Sequence, residues 1–131
     1  MIRVFLSPVL QDLLTPAEQT DLMADFQQYK ATGIPADYFG RDAPYDHPHT
    51  LPRVRQAELQ HLHLIDPARY PARTPQYQRT SDDHLVYCPG FFQLNHYLLL
   101  AILMPSAHAA ARDNSIMASL ADLAERFRGQ Y

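Results

Sequence analysis

His61 and His63, in the run Glu58-Leu-Gln-His-Leu-His-Leu-Ile65, have the residue types and spacing that speak most directly of chemistry. In an extended segment successive side chains alternate between faces, so the two imidazoles share one face about 6–7 Å apart. Leu59 and Ile65 lie on that face, while Gln60, Leu62 and Leu64 take the other. Three chemistries fit such a pair. The imidazoles can ligate a metal if further ligands come from elsewhere, and His84, His96, Asp83 and His47 are available. They can act as general acid and base. They can also be polar residues on a half-exposed sheet face that need no special partner. No HExxH or CxxC spacing selects the metal, and the marks of serine hydrolases, P-loop proteins and dinucleotide enzymes are absent. Cys88 stands between Tyr87 and Pro89 with no basic neighbour, and reads as a small buried apolar residue.

The cations are nearly all arginine, with Lys30 the only lysine. Residues 51–81 hold Arg53, Arg55, Arg69, Arg73 and Arg79 against Glu58 and Asp66, a net of +3 inside a chain of formal net charge −3. A guanidinium fork suits phosphate oxygens better than a point charge does. With Tyr70 and Tyr77 interleaved, this stretch offers phosphate contacts and a stacking surface for unpaired bases. It is equally readable as a solvated basic loop. Metal-free RNA cleavage asks for a base at the 2′-hydroxyl, a cation at the phosphate and an acid at the leaving 5′-oxygen. The inventory is compatible with a ribonuclease and does not by itself select one. The overall acidity argues against a nucleic-acid binder that works by charge alone.

Around these groups, 131 residues suffice for one domain, 1–131, with a modest core. A single cysteine excludes an internal disulfide framework and fits a reducing cytoplasm. No apolar run reaches the roughly 18 residues that span a bilayer, and the N-terminus does not read as a signal peptide. Arg3 to Leu6 reads as a strand. Thr15-Pro16-Ala17-Glu18 is a capping box with proline at the first helical position, and Leu22, Met23, Phe26 and Tyr29 continue it at helical spacing toward Gly33. FGRDAPYDHPHT, residues 39–50, reads as a proline-broken connection. Strands follow over 58–65, 84–88 and 95–104, the last two as a hairpin, with an irregular excursion over 66–80. Asp113 or Asn114 caps a final helix whose apolar stripe is Ile116, Leu120, Leu123 and Phe127. This order predicts an α+β domain: an antiparallel sheet of about four strands with two main helices packed on one face.

Several of these runs recur together as a signature. LTPAEQTDLMADFQQYKATGIP, FGRDAPYD, HLHL at 61–64, RTSDDHLVYCPG, LLLAIL at 98–103 and ARDN at 111–114 stand in the order and spacing by which the chain resembles the YafO family of toxins from bacterial type II toxin–antitoxin pairs. The resemblance covers nearly the whole chain. It implies a small cytoplasmic endoribonuclease, an mRNA interferase acting on translated mRNA at the ribosome, without metal or other cofactor and without membrane attachment. It implies a cognate antitoxin partner and a compact RelE-like fold. Carried over by motif position, the site residues are Arg41, Asp42, Tyr45 and Asp46, then His61 and His63, then His84, then Arg112 and Asp113. On this reading His61 or His63 is the acid or base, and Arg41 and Arg112 stabilise the phosphate. Asp42 holds Arg41 or caps a turn, Asp113 caps a helix, and His47 and His49 are plain connection. Two other readings compete: a non-enzymatic module that blocks translation or binds a protein, and a metal-dependent enzyme built on the His61/His63 pair.

Overall fold

The capping box at Thr15 forms as its residues dictate. In the computed structural model, which describes residues 1–131, the Thr15 hydroxyl accepts from the Glu18 N–H, and Glu18 accepts from the Thr15 N–H at 2.9 Å. Helix α2 then runs Pro16–Thr32 and stops at Gly33, whose φ of 77° is a conformation that costs glycine little. A short helix, α1 (Pro8–Leu13), precedes it, and strand β1 (Arg3–Leu6) opens the chain. After α2 come β2 (Phe39–Pro44), α3 (Pro52–Gln56), β3 (Gln60–Leu64), β4 (His84–Pro89), β5 (His96–Leu103), α4 (Ala107–Ala111) and α5 (Asn114–Gln130). Asp113 caps α5 through its carboxylate.

The α+β class holds, with two differences of detail. The sheet has five strands in the order β1-β5-β4-β3-β2, antiparallel throughout except for β1 beside β5. Its helices cover both faces rather than one. The reason is visible in β4, where five consecutive residues from His84 to Cys88 are buried. A strand apolar on both sides needs cover on both sides. Leu62, Leu85 and Leu99 pack with Phe26 and Tyr29 of α2 and Leu10 of α1. Val86, Cys88 and Leu100 pack with Val54 of α3 and Met117, Leu120 and Phe127 of α5. The α5 stripe is Met117, Leu120, Ala121, Ala124 and Phe127, so the expected stripe is rotated and Ile116 is 38% exposed.

Residues 39–44 are a strand, not a connection. Their place at the sheet edge tolerates Pro44. The outer side of this edge is closed by the 3-10 turn at Gln76–Gln78: the Arg41 N–H donates to the Arg79 carbonyl at 2.8 Å, and Gln76 Nε2 donates to the Gly40 carbonyl at 2.9 Å. Glycine is required at 40 because a Cβ there would run into the Arg79 carbonyl.

Candidate active site

Strand alternation and register assemble the site. His61 and His63 point away from Leu62, toward the α5 face, and antiparallel pairing sets His63 opposite His84. The three imidazoles form a cluster with ring centroids 4.1 Å apart for His63–His84, 5.0 Å for His61–His84 and 5.5 Å for His61–His63. Tyr45 stacks on His61 at 4.4 Å. In front of them lies a cavity of about 320 Å³ whose lining includes Arg41, Tyr45, His61, His84, His108 and Arg112. Arg41 therefore faces the histidines, held by its Nε donating to the Tyr77 carbonyl at 2.6 Å. Tyr77 belongs to the turn that closes the β2 edge, so the same turn positions the arginine.

Hydrogen-bond partners assign two of the tautomers. The Ser81 N–H donates to His63 Nδ1 at 2.9 Å, which leaves the proton of a neutral His63 on Nε2. His84 Nε2 lies 3.0 Å from the Ser81 carbonyl and must donate to it, so its Nδ1 carries a lone pair. That lone pair has no partner. Three buried side-chain polar atoms in the whole protein lack one, Tyr45 Oη, His61 Nδ1 and His84 Nδ1, and all three belong to this one cavity. Burial, reinforced by His84, pushes His61 down to about 4; burial with His84, His61 and Arg41 pushes His63 down to about 3. His84 is lowered too, again mainly by burial. All three are neutral at pH 7. Burial also raises the Tyr45 phenol, so it stays protonated. The site thus combines two guanidinium groups with uncharged hydrogen-bonding rings.

Candidate ligand atoms of His61, His63 and His84 lie within 4.8 Å of one another, which makes the cluster the place to test the metal reading. Tetrahedral zinc with N ligands at about 2.0–2.1 Å would bring them to roughly 3.3 Å apart. His63 presents a further obstacle: its Nδ1 lone pair is used by the Ser81 N–H, and its Nε2 holds the proton. With His63 engaged in this way, the cluster stands as neutral packed imidazoles rather than as a ligand set.

The other expected residues are distributed differently. Asp42 is adjacent to Arg41 in sequence but lies on the opposite face, where it accepts from Tyr29, Tyr87 and Lys30; it does not hold Arg41. Arg53 is paired with Asp122 and Glu125 of α5. Arg55 donates to the Asp46 and His47 carbonyls at 2.8 and 2.7 Å, shaping the loop. Arg79 Nε donates to the Thr74 carbonyl and Tyr70 to the Thr80 carbonyl, which fold the 66–80 excursion on itself. Arg69 lines a separate cavity with Tyr70. Arg73 and Tyr77 are exposed. The basic stretch is therefore partly committed to structure. His47 and His49, expected as plain connection, line the main cavity.

Two residues that the sequence did not point to are His108 and Asp82. His108 Nδ1 lies 2.6 Å from Asp82 Oδ1, and its ring meets that of His84 edge-on at 5.0 Å. The repeated acids of Ser81-Asp82-Asp83 just before His84 were a signal that something basic lies opposite. Nothing in the sequence around Ala107-His108-Ala109 marks the histidine.

The family described as toxin YafO of type II toxin–antitoxin systems matches residues 27–129. A curated relative, the mRNA interferase toxin YafO of Escherichia coli strain K12, is 41% identical over 132 residues, covering 99% of this chain and 100% of the relative. No solved structure matches. With a family match over most of its length and a relative aligned from end to end, the chain belongs to the YafO toxin family of type II toxin–antitoxin systems.

Proposed function

We propose that this toxin is an mRNA interferase: an endoribonuclease that cuts mRNA on translating ribosomes in the cytoplasm and is neutralised by a cognate antitoxin. One observation carries the reading. Two arginines converge with neutral histidines on a cavity where every unpartnered buried side-chain polar atom of the protein is found. Buried polar groups are normally satisfied within the fold, and exceptions gathered in one cavity mark a place where catalysis or an outside partner uses them. Arg41 and Arg112 supply cations for a phosphate. His61, the least buried of the cluster, takes the 2′-hydroxyl proton on its unpartnered nitrogen as the 2′-oxygen attacks phosphorus. His63, whose Nδ1 is occupied by the Ser81 N–H, holds the cluster in place. The P–O5′ bond breaks, leaving a 2′,3′-cyclic phosphate and a 5′-hydroxyl. The net charge of −3 is consistent with a ribosome that presents the message, since only a local basic face is then needed. No helix is long and apolar enough to cross a membrane.

Inducing the chain without its antitoxin tests this. Growth arrest with transcripts fragmented at discrete positions, read by primer extension, is the expected result. Arrest with intact transcripts would instead favour a non-enzymatic block of translation. His61→Ala or Arg112→Ala should slow cleavage on the order of 100-fold.

A further inference from the structure

Six of the seven histidines gather at or behind the one cavity: His47, His49, His61, His84 and His108 line it, and His63 backs it. His108 alone has a carboxylate on its ring. Asp82 Oδ1 accepts from both the His108 backbone N–H, at 2.8 Å, and Nδ1, at 2.6 Å. Two bonds to one oxygen fix the ring relative to its own backbone. The Asp82 carbonyl accepts the Ala107 N–H at 2.8 Å, so the start of α4 is tied to the segment leading into β4. With Nδ1 engaged, Nε2 is the nitrogen left for a substrate, on a side chain that is 70% exposed. Arg112 lies four residues further on and lines the same cavity.

The contrast with the buried rings is one of counter-charge. His61, His63 and His84 pack against one another's rings, whereas His108 is exposed and has the Asp82 carboxylate at contact distance. We propose that His108, oriented by Asp82, is the general acid of the cleavage reaction, giving its Nε2 proton to the leaving 5′-oxygen. This rests on the nuclease reading above and completes its proton ledger. His61 gains the 2′-hydroxyl proton, the 2′-O–P bond forms, the P–O5′ bond breaks, and His108 loses one proton to the 5′-oxygen. Exchange with water resets both rings. Asp82 is a positioning residue, because it acts through His108.

The test compares two RNAs in a reconstituted translation reaction. One is all-oxygen; the other carries a bridging 5′-sulfur at the linkage the wild type cuts. A thiolate leaves without protonation, so a lost acid matters only for oxygen. His108→Gln should cut the all-oxygen RNA about 100-fold more slowly than wild type, in the usual range for acid–base catalysis. It should cut the sulfur-bridged RNA at close to the wild-type rate. Asp82→Asn should show the same selective rescue, which a merely structural tie between α4 and β4 would not produce. Equal losses on both RNAs, or undiminished cleavage of the all-oxygen RNA by His108→Gln, overturn the assignment while leaving the nuclease reading intact. A wild-type protein that cuts neither RNA overturns both.

Discussion

The two faces of the sheet handle polar groups in opposite ways. On the α2 face, Asp42 Oδ1 accepts from the Tyr87 hydroxyl at 2.7 Å, while Oδ2 accepts from the Tyr29 hydroxyl at 2.7 Å and from Lys30 Nζ at 3.2 Å. Lys30 also donates to the Tyr87 oxygen at 2.9 Å and sits 4.8 Å from the centroids of the Tyr29 and Tyr87 rings. The network leaves nothing open. On the α5 face, Tyr45, His61 and His84 each leave a buried polar atom unpaired around a cavity. A satisfied buried network rigidifies, whereas each unpaired buried polar group is costly to the fold. Arg41 and Asp42 show how sharp the division is. They are adjacent in one run of residues, yet one faces the cavity and the other the closed network.

The largest expected effect breaks the closed face. Asp42→Ala leaves the Lys30 ammonium and two tyrosine hydroxyls without their carboxylate, and should destabilise the fold by about 3–5 kcal/mol in urea titrations. The folded fraction should still cleave RNA. A variant that keeps its stability but loses toxicity would put Asp42 in the chemistry and erase the contrast. Next comes the open face, where His84→Leu should lower cleavage about 100-fold, equivalent to about 2.7 kcal/mol. Its stability should stay within about 1 kcal/mol of wild type, because the change also removes an orphaned nitrogen.

Acid should separate the faces further. The folded-state value of His61, about 4, lies below the unfolded one near 6.5, so the unfolded chain binds more protons between those values. Stability is full above pH 6.5 and falls as pH drops toward 4. By pH 5 the His61 contribution to that fall is at most about 2 kcal/mol. His61→Phe, which preserves a ring against Tyr45, should flatten the pH dependence of the urea midpoint in this window. An unchanged slope would mean that His61 is not held neutral by burial. The smallest effect belongs to Tyr45→Phe: removal of an unpaired buried hydroxyl should leave stability unchanged or raise it by up to about 1 kcal/mol. A clear loss of stability would reveal a partner for that hydroxyl within the fold.

Local signals identified much of this molecule. The capping box at Thr15, the left-handed stop at Gly33, the Asp113 cap and the strands around His61, His84 and Leu99 are marked by patterns within a few residues, and all of them form. The short helices at 8–13, 52–56 and 107–111 carry no comparable periodicity and were not legible. The proline and charges of segment 39–44 suit an edge strand as well as a loop, and only pairing with β3 distinguishes the two. Period-2 alternation placed His61 and His63 on one face by sequence alone. What sequence could not decide was what stands opposite. A register shift between Phe39 and Asp42 accompanies the divergence of Arg41 from Asp42. The pairing of β3 with β4 brings His84 to His63, and the turn after β5 returns His108 to Asp82. Those meetings join residues 21 and 26 positions apart only through the whole sheet, so the residue types are set by the sequence and their chemical partners by the tertiary fold.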